Sequence, residues 1–279
     1  MMYFSRAIQP LVDLALAEDI GTGDVTTLTT IPEDAHATAE FMVKADGVIA
    51  GLPAVKQVFH TLDPTVNYEM LIADGCPVKY GEIVARVSGS AQVLLTAERT
   101  ALNFLQHLSG IATLTASYVE AVKGTRARIV DTRKTLPGMR ILDKYAVCMG
   151  GGSNHRFSLA DGVLIKDNHI AAAGGISQAI CAARAWVPHT LKIEVETEDR
   201  AMVEEAVTAG ADIIMLDNMS LAEMRSCVEY IAGRALTEAS GGVNLATVRE
   251  IAECGVDLIS VGALTHSVTA LDISMNFTD

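Results

Sequence analysis

The chain is poor in positive charge. Its 21 lysines and arginines stand against 34 aspartates and glutamates, a formal net charge of −13. That balance excludes a general nucleic-acid binder, whose surface must neutralise phosphates, and a polybasic protein held at an anionic membrane. The five cysteines (Cys76, Cys148, Cys181, Cys227, Cys254) form no C-x-x-C pair and have no histidine at metal-site spacing. They read as reduced thiols, not as a zinc site or disulfide framework. No apolar run reaches the length of a membrane span. The opening stretch MMYFSRAIQPLVDLALAEDI sets acids and a proline where a signal peptide needs an unbroken apolar segment, so a cytoplasmic protein is expected. Gly21-Thr22-Gly23-Asp24 lacks the preceding strand and third glycine of a dinucleotide loop and reads as a turn. Lys79, in PVKYGE, lacks the flanking methionines of a lipoyl- or biotin-carrier hairpin.

What is present is a chain of 279 residues, 50% hydrophobic, long enough for one large barrel or two domains around a sizeable core. Residues 5–18 carry apolar side chains at helical spacing. Residues 35–89 alternate short strand-like runs and turns around one helix, a small α+β layer. Ala91–Lys123 is the longest helical stretch, with Thr96 as N-cap, Gly124 as stop and a break expected at Gly110. Arg99 stands one turn into it, among apolar neighbours. From Ala127 the rhythm is a repeated strand and helix, with strands ending at Val130, Ile165, Val195, Leu216, Ala239 and Val261. Ser177 is expected to cap one helix, and Ser220 with Glu223 forms a capping box. Gly210, Gly233 and Gly255 sit just past helix ends. The stretch from Glu205 to Ile214 resembles that from Glu250 to Ile259, the self-similarity of a β/α barrel.

In such barrels the working residues stand at the C-terminal ends of the strands. Here those ends are sorted by charge. Asp131-Thr132-Arg133-Lys134 and Lys166-Asp167-Asn168-His169 follow the first two strands, and His155-Arg156 follows a glycine run between them. Glu196 and Asp217-Asn218 follow the middle two, and Ser240-Gly241-Gly242 and Gly262-Ala263 the last two. Glycines allow a ligand close to the backbone, and N–H groups at a following helix start favour an anion. A phosphate is therefore expected at Ser240, Gly241, Gly242, Gly262 and Ala263. Glu196 and Asp217 would meet a phosphorylated ligand through Mg2+ or through sugar hydroxyls. Arg133, Lys134, Arg156 and Lys166, with His155, form a cationic patch suited to carboxylates.

The runs RTALNFLQHLSGIAT, DTRKTLPGMR, KYAVCMGGGSNHR, LIKDNHI, IEVE, LDN, EASGGV and VGALTHS, with EDIGTGDVTT near the start, together resemble the quinolinate phosphoribosyltransferase family over nearly the whole chain. The resemblance implies an incomplete TIM-like α/β barrel with a smaller N-terminal α+β domain. It places that domain at residues 1–102, with a tail at 268–279 returning to it, and the barrel at 103–267. It implies that quinolinate and 5-phosphoribosyl-1-pyrophosphate become nicotinate mononucleotide, pyrophosphate and CO2, with Mg2+ as cofactor, in de novo NAD synthesis. Quinolinate would lie at Arg99, Thr132, Arg133, His155, Arg156 and Lys166. The phosphosugar would lie at Lys134, Glu196, Asp217, Ser240, Gly241, Gly242, Val261, Gly262 and Ala263. Lys134, Glu196 and Asp217 would act in the transfer, with Mg2+ held mainly through substrate near the two carboxylates. The partners implied are these substrates and a second subunit, in a homodimer or higher even oligomer with Arg99 contributed across the interface, and neither nucleic acid nor membrane.

Other readings of the same residues are a nicotinate-specific or molybdate-transport-associated relative, a Schiff-base aldolase using Lys166, and a phosphosugar-binding barrel without turnover.

Overall fold

The computed structural model describes residues 2–278, with side chains from Ser5 onward. Met1 and Asp279, the outer ends of the expected domain ranges, lie outside them. In chain order the elements begin with helices α1 (Met2–Ile20) and α2 (Val25–Thr30), strands β1 (His36–Val43) and β2 (Gly47–Val48), and helix α3 (Leu52–Leu62). Strands β3 (Asn67–Met70), β4 (Pro77–Val78) and β5 (Ile83–Ser90) lead to helix α4 (Ala91–Ala121). Then come β6 (Arg128–Val130), α5 (Arg140–Met149), β7 (Val163–Ile165), α6 (Asp167–Ala173), α7 (Ile176–Trp186) and β8 (Ile193–Thr197). The chain ends with α8 (Arg200–Thr208), β9 (Ile213–Asp217), α9 (Leu221–Ile231), β10 (Leu236–Ser240), α10 (Val248–Ala252), β11 (Leu258–Ser260), α11 (Ala263–His266) and β12 (Ile273–Thr278). Among the described residues, no helix is long and apolar enough to cross a membrane.

The chain divides into two compact units. Among the described residues the first comprises 2–116, 135–151 and 264–278, and the second 117–134 and 152–263. The expected ranges drew the boundary at 102/103. In the structure the first unit also holds α4 as far as Ala116, the segment containing α5, and the chain from Leu264. Its sheet runs β12-β1-β5-β3, all antiparallel, with the C-terminal strand β12 paired along β1. Helix α3 buries Leu52, Ala54, Val55, Val58 and Phe59. Each large apolar side chain so buried stabilises the fold by about 1.5–3 kcal/mol. Gly21 and Gly23 have positive φ, and Asp24 caps α2 by accepting from the Thr27 N–H at 3.0 Å, as a turn requires.

Three local expectations are corrected. Helix α4 begins at Ala91 and passes through Gly110 without a break, so Thr96 lies inside it and is not its cap. Gly110 is small for another reason: a Cβ there would stand 2.3 Å from the Thr269 carbonyl oxygen, so glycine lets the C-terminal segment lie on the helix. The α7 N-cap is Gly175, and the Ser177 N–H instead donates to Glu205 Oε1 at 2.8 Å. The capping box of Ser220 and Glu223 forms as expected.

The second unit is built on a parallel six-stranded sheet of order β6-β11-β10-β9-β8-β7. Beside β6 the sheet is extended by a bridge from Val130 to Ser153. Strand side chains alternate faces. Ile129, Ile165, Val195, Ile214, Leu216, Ala239 and Ile259 are buried. The helices that follow also bury apolar faces, including Ile176, Ala179 and Ile180 of α7 and Met224, Cys227 and Ile231 of α9. The alternate residues on the strands, Leu164, Met215, Asp217, Glu238, Ser240 and Ser260, line a cavity. The open α/β barrel thus carries the site, and the period of two selects which side chains enter it.

Candidate active site

A cavity of about 490 Å³ opens at the C-terminal ends of the strands, lined entirely by the second unit. It is assembled from several strand ends. After β6, the Asp131 carboxylate is wholly buried. Its Oδ1 accepts the His155 backbone N–H at 2.8 Å and its Oδ2 accepts from Asn154 Nδ2 at 2.6 Å. This ties residues 153–156 to the strand that presents Thr132, Arg133 and Lys134. The Lys134 N–H donates to Thr132 Oγ1 at 3.0 Å, closing the turn between them.

Arg133 and Arg156 both face the cavity. Burial, and then the Arg133 charge beside it, hold the Arg156 guanidinium below its usual value. One Arg156 N–H donates to the Gly162 carbonyl at 3.1 Å. The Arg133 Nε is buried with no hydrogen-bond partner among the described residues. Two adjacent guanidinium groups that repel each other, one with an orphaned donor, form a site for an anion that can accept planar, paired bonds.

Lys166, after β7, forms an ion pair with Glu196 on neighbouring β8. Lys192 and Arg200 are drawn to other carboxylates. Lys192 stands 3.7 Å from Asp212, and Arg200 pairs with Glu204 at 2.8 Å. Asp217, at the end of β9, accepts from Asn218 Nδ2 at 2.8 Å, and Asn218 holds a left-handed backbone with φ 54°. A Cβ on Gly241 would lie 2.1 Å from Asn218 Oδ1, so glycine there makes room for Asn218. Gly242, at φ +62°, faces open space.

The cavity brings together Thr132, Arg133, Lys134, His155, Arg156, Lys166, Glu196, Asp217, Ser240 and Gly241. Its lining does not include Arg99, Gly242, Val261, Gly262 or Ala263. Arg99 is exposed on α4, in the first unit. Val261 is buried, and Ala263 opens the short helix α11. Sequence reasoning missed the floor: Leu164, Met215, Glu238 and Ser260 also line the cavity. Below them, Glu194 is buried, with its Oε2 2.9 Å from His155 Nε2, and Glu238 Oε2 lies 3.7 Å from the same nitrogen. Glu238 is pushed up to about 8 by burial and then by the charge of Glu194, opposed by His155 and Ser260. The signal was available: Glu194 and Glu238 each stand two residues before a recognised strand-end residue, on the same strand face.

An open parallel barrel with arginines and lysines at two strand ends and carboxylates at the next two defines an α/β-barrel enzyme for small polyanionic substrates. The comparisons narrow the class. Residues 24–109 match the model of the quinolinate phosphoribosyl transferase N-terminal domain, and residues 111–276 that of the C-terminal domain. A probable nicotinate-nucleotide pyrophosphorylase [carboxylating] of Bacillus subtilis is 44% identical over 271 residues, 97% of this chain and 93% of the relative. The crystal structure of NadC from Streptococcus pyogenes superposes with a TM-score of 0.93 at 44% identity, covering 98% of this chain and 97% of that one. The nicotinate-nucleotide pyrophosphorylase structure from Francisella tularensis gives a TM-score of 0.95 at 38% identity, covering 98% and 97%. The chain belongs to the quinolinate phosphoribosyltransferase family.

Proposed function

We propose that this chain transfers the phosphoribosyl group of 5-phosphoribosyl-1-pyrophosphate to quinolinate, releasing pyrophosphate and CO2 and forming nicotinate mononucleotide for NAD synthesis. The observation that carries this reading is the Arg133–Arg156 pair, two mutually repelling guanidiniums in the cavity with a buried orphan donor. A dicarboxylate satisfies both at once. Arg133, Arg156 and Lys166, with Thr132, hold quinolinate, and His155 positions the Arg156 backbone beside them. Lys134, Glu196, Asp217, Ser240, Gly241 and Gly242, with Val261, Gly262 and Ala263, serve the phosphosugar. Holding two anions with the pyridine nitrogen facing the anomeric carbon is the main task, and no protein nucleophile is needed. As pyrophosphate leaves, positive charge develops on the ribose, and Glu196 or Asp217 stabilises it while Lys134 neutralises the leaving group. The quaternised ring nitrogen then stabilises the carbanion left by loss of CO2 from the adjacent carbon, and a proton from solvent takes up that electron pair to give nicotinate mononucleotide.

The hard carboxylate oxygens of Glu196 and Asp217, on neighbouring strands, fit Mg2+ held mainly through the substrate's own oxygens. When bound there, Mg2+ supplies charge neutralisation for the pyrophosphate. The chain works in the cytoplasm as a homodimer or higher even oligomer, in which the exposed Arg99 reaches the partner's site.

The test is to incubate the purified, folded protein with quinolinate, 5-phosphoribosyl-1-pyrophosphate and Mg2+ and to assay nicotinate mononucleotide. Absence of product, or preference for nicotinate over quinolinate, overturns the reading.

A further inference from the structure

The floor of the cavity holds a second constellation: His155 with Glu194 and Glu238, whose ligand-type atoms all lie within 4.8 Å of one another. Such a set invites a metal ion, but the imidazole geometry argues against one. The Arg156 backbone N–H donates to His155 Nδ1 at 2.8 Å, so Nδ1 offers a lone pair and the ring proton sits on Nε2. A metal at Nε2 requires the opposite tautomer, with Nδ1–H donating outward. Here Nε2–H instead points at Glu194 Oε2, 2.9 Å away. Both ring nitrogens are thus engaged within the protein, and a direct bond from His155 to a substrate carboxylate would break one of them.

This leaves two buried carboxyl groups facing one imidazole. Glu238 is wholly buried, and among the described residues neither of its oxygens has a hydrogen-bond partner; one oxygen of Glu194 also lacks one. Two like charges at this separation in a desolvated site cannot both persist without compensation, so the pair retains one proton. The groups facing Glu238 are Glu194 from β8, His155 from the loop between α5 and β7, and Ser260 from β11, with Arg156 of the same loop and Met215 of β9 lining the same cavity. Arg128 and Lys192 line a smaller cavity of about 250 Å³ that Glu194 and Glu238 also line.

We propose that Glu238 is a positioning residue for the dicarboxylate half of the site: as a neutral carboxyl group it leaves Glu194 to fix the His155 ring, and through it the Arg156 backbone, without adding negative charge beneath the arginines. Losing that proton puts a second carboxylate under the substrate's own carboxylates. Its upward-shifted titration, to about 8, puts this loss within reach of mildly alkaline solution. The inference rests on placing quinolinate at Arg133, Arg156 and Lys166.

The experiment compares the wild-type enzyme with Glu238→Gln, which is permanently neutral and of the same shape, and with Arg156→Ala. The KM for quinolinate is measured at saturating phosphosugar from about pH 6.5 to about pH 9. In the wild type it rises several-fold across that range while the KM for 5-phosphoribosyl-1-pyrophosphate does not follow. In Glu238→Gln the rise is lost. Persistence of the wild-type rise in Glu238→Gln overturns the proposal, as does a change confined to kcat. If Arg156→Ala leaves the quinolinate KM unchanged, the placement of quinolinate itself is wrong. If Arg156→Ala raises it while Glu238→Gln keeps the alkaline rise, only the role of Glu238 fails. Should Glu238→Gln not fold, calorimetry of quinolinate binding to the wild type in two buffers decides: proton uptake on binding near pH 8 supports the proposal, and none overturns it.

Discussion

The buried Asp131 carboxylate accepts the backbone N–H of His155, 2.8 Å away and 24 residues later in the chain. This bond joins β6, which presents Arg133, to the loop that presents Arg156. Replacing Asp131 with alanine removes this acceptor and the one used by Asn154. Hydrogen bonds to a charged group contribute roughly 1.5–3 kcal/mol each, so a loss of about 3 kcal/mol in urea unfolding is expected. The quinolinate KM should rise more than that of the phosphosugar. Equal rises would mean that Asp131 supports the whole site.

Arg133→Ala is expected to weaken quinolinate binding by about tenfold or more, since a buried charge-assisted bond is lost. The melting temperature should hold or rise, because Arg156 loses a repelling neighbour. A variant that is both inactive and strongly destabilised would show that Arg133 is structural.

Two adjacent glycines should respond differently to alanine. At Gly241 the added Cβ meets Asn218 Oδ1 at 2.1 Å on a backbone with φ +87°, whereas at Gly242 only the positive φ opposes it. Gly242→Ala should cost about 1–2 kcal/mol. Gly241→Ala should cost more, because Asn218 must move, and should raise the KM for the phosphosugar. Similar stabilities for the two variants would show that Asn218 moves without cost.

Stability should carry the mark of Glu238. Its native carboxyl holds a proton up to about 8, whereas an unfolded chain releases it near the ordinary value of 4.5. The contribution is therefore complete below that ordinary value and is lost as pH rises through the native one. The groups facing it are Glu194, His155 and Ser260. Glu238→Gln should gain stability relative to the wild type between about pH 5 and about pH 9 in urea titrations. Parallel curves for the two proteins would refute the shift.

Arg99 gives a test of assembly. If it completes a partner's site, mixing inactive Arg99→Ala with inactive Lys134→Ala should restore activity through hybrid dimers. No recovery, with subunit exchange confirmed by mass spectrometry, would assign Arg99 to its own chain or to structure.

Much of the site was legible along the chain. Arg133, Lys134, Lys166, Glu196, Asp217 and Ser240 all follow apolar runs, and the six parallel strands end within two residues of the expected positions. Glu194 and Glu238 were not legible, because a carboxylate inside an alternating strand reads the same whether its face meets solvent or a barrel interior. Gly110 was misread because glycine weakens a helix in isolation, and only the Thr269 carbonyl packed against it explains why it is there.

By itself the sequence determined the strand and helix rhythm, the acidic balance and the charge sorted along successive strand ends. These depend on local periodicity and on residue order, which a linear chain already contains. Tertiary structure decided which strand face turned inward, and so that two carboxyl groups lie against one imidazole with Arg133 and Arg156 above them. Those properties depend on groups distant in sequence sharing one desolvated space, where charges too weak to matter in water constrain each other's protons and positions.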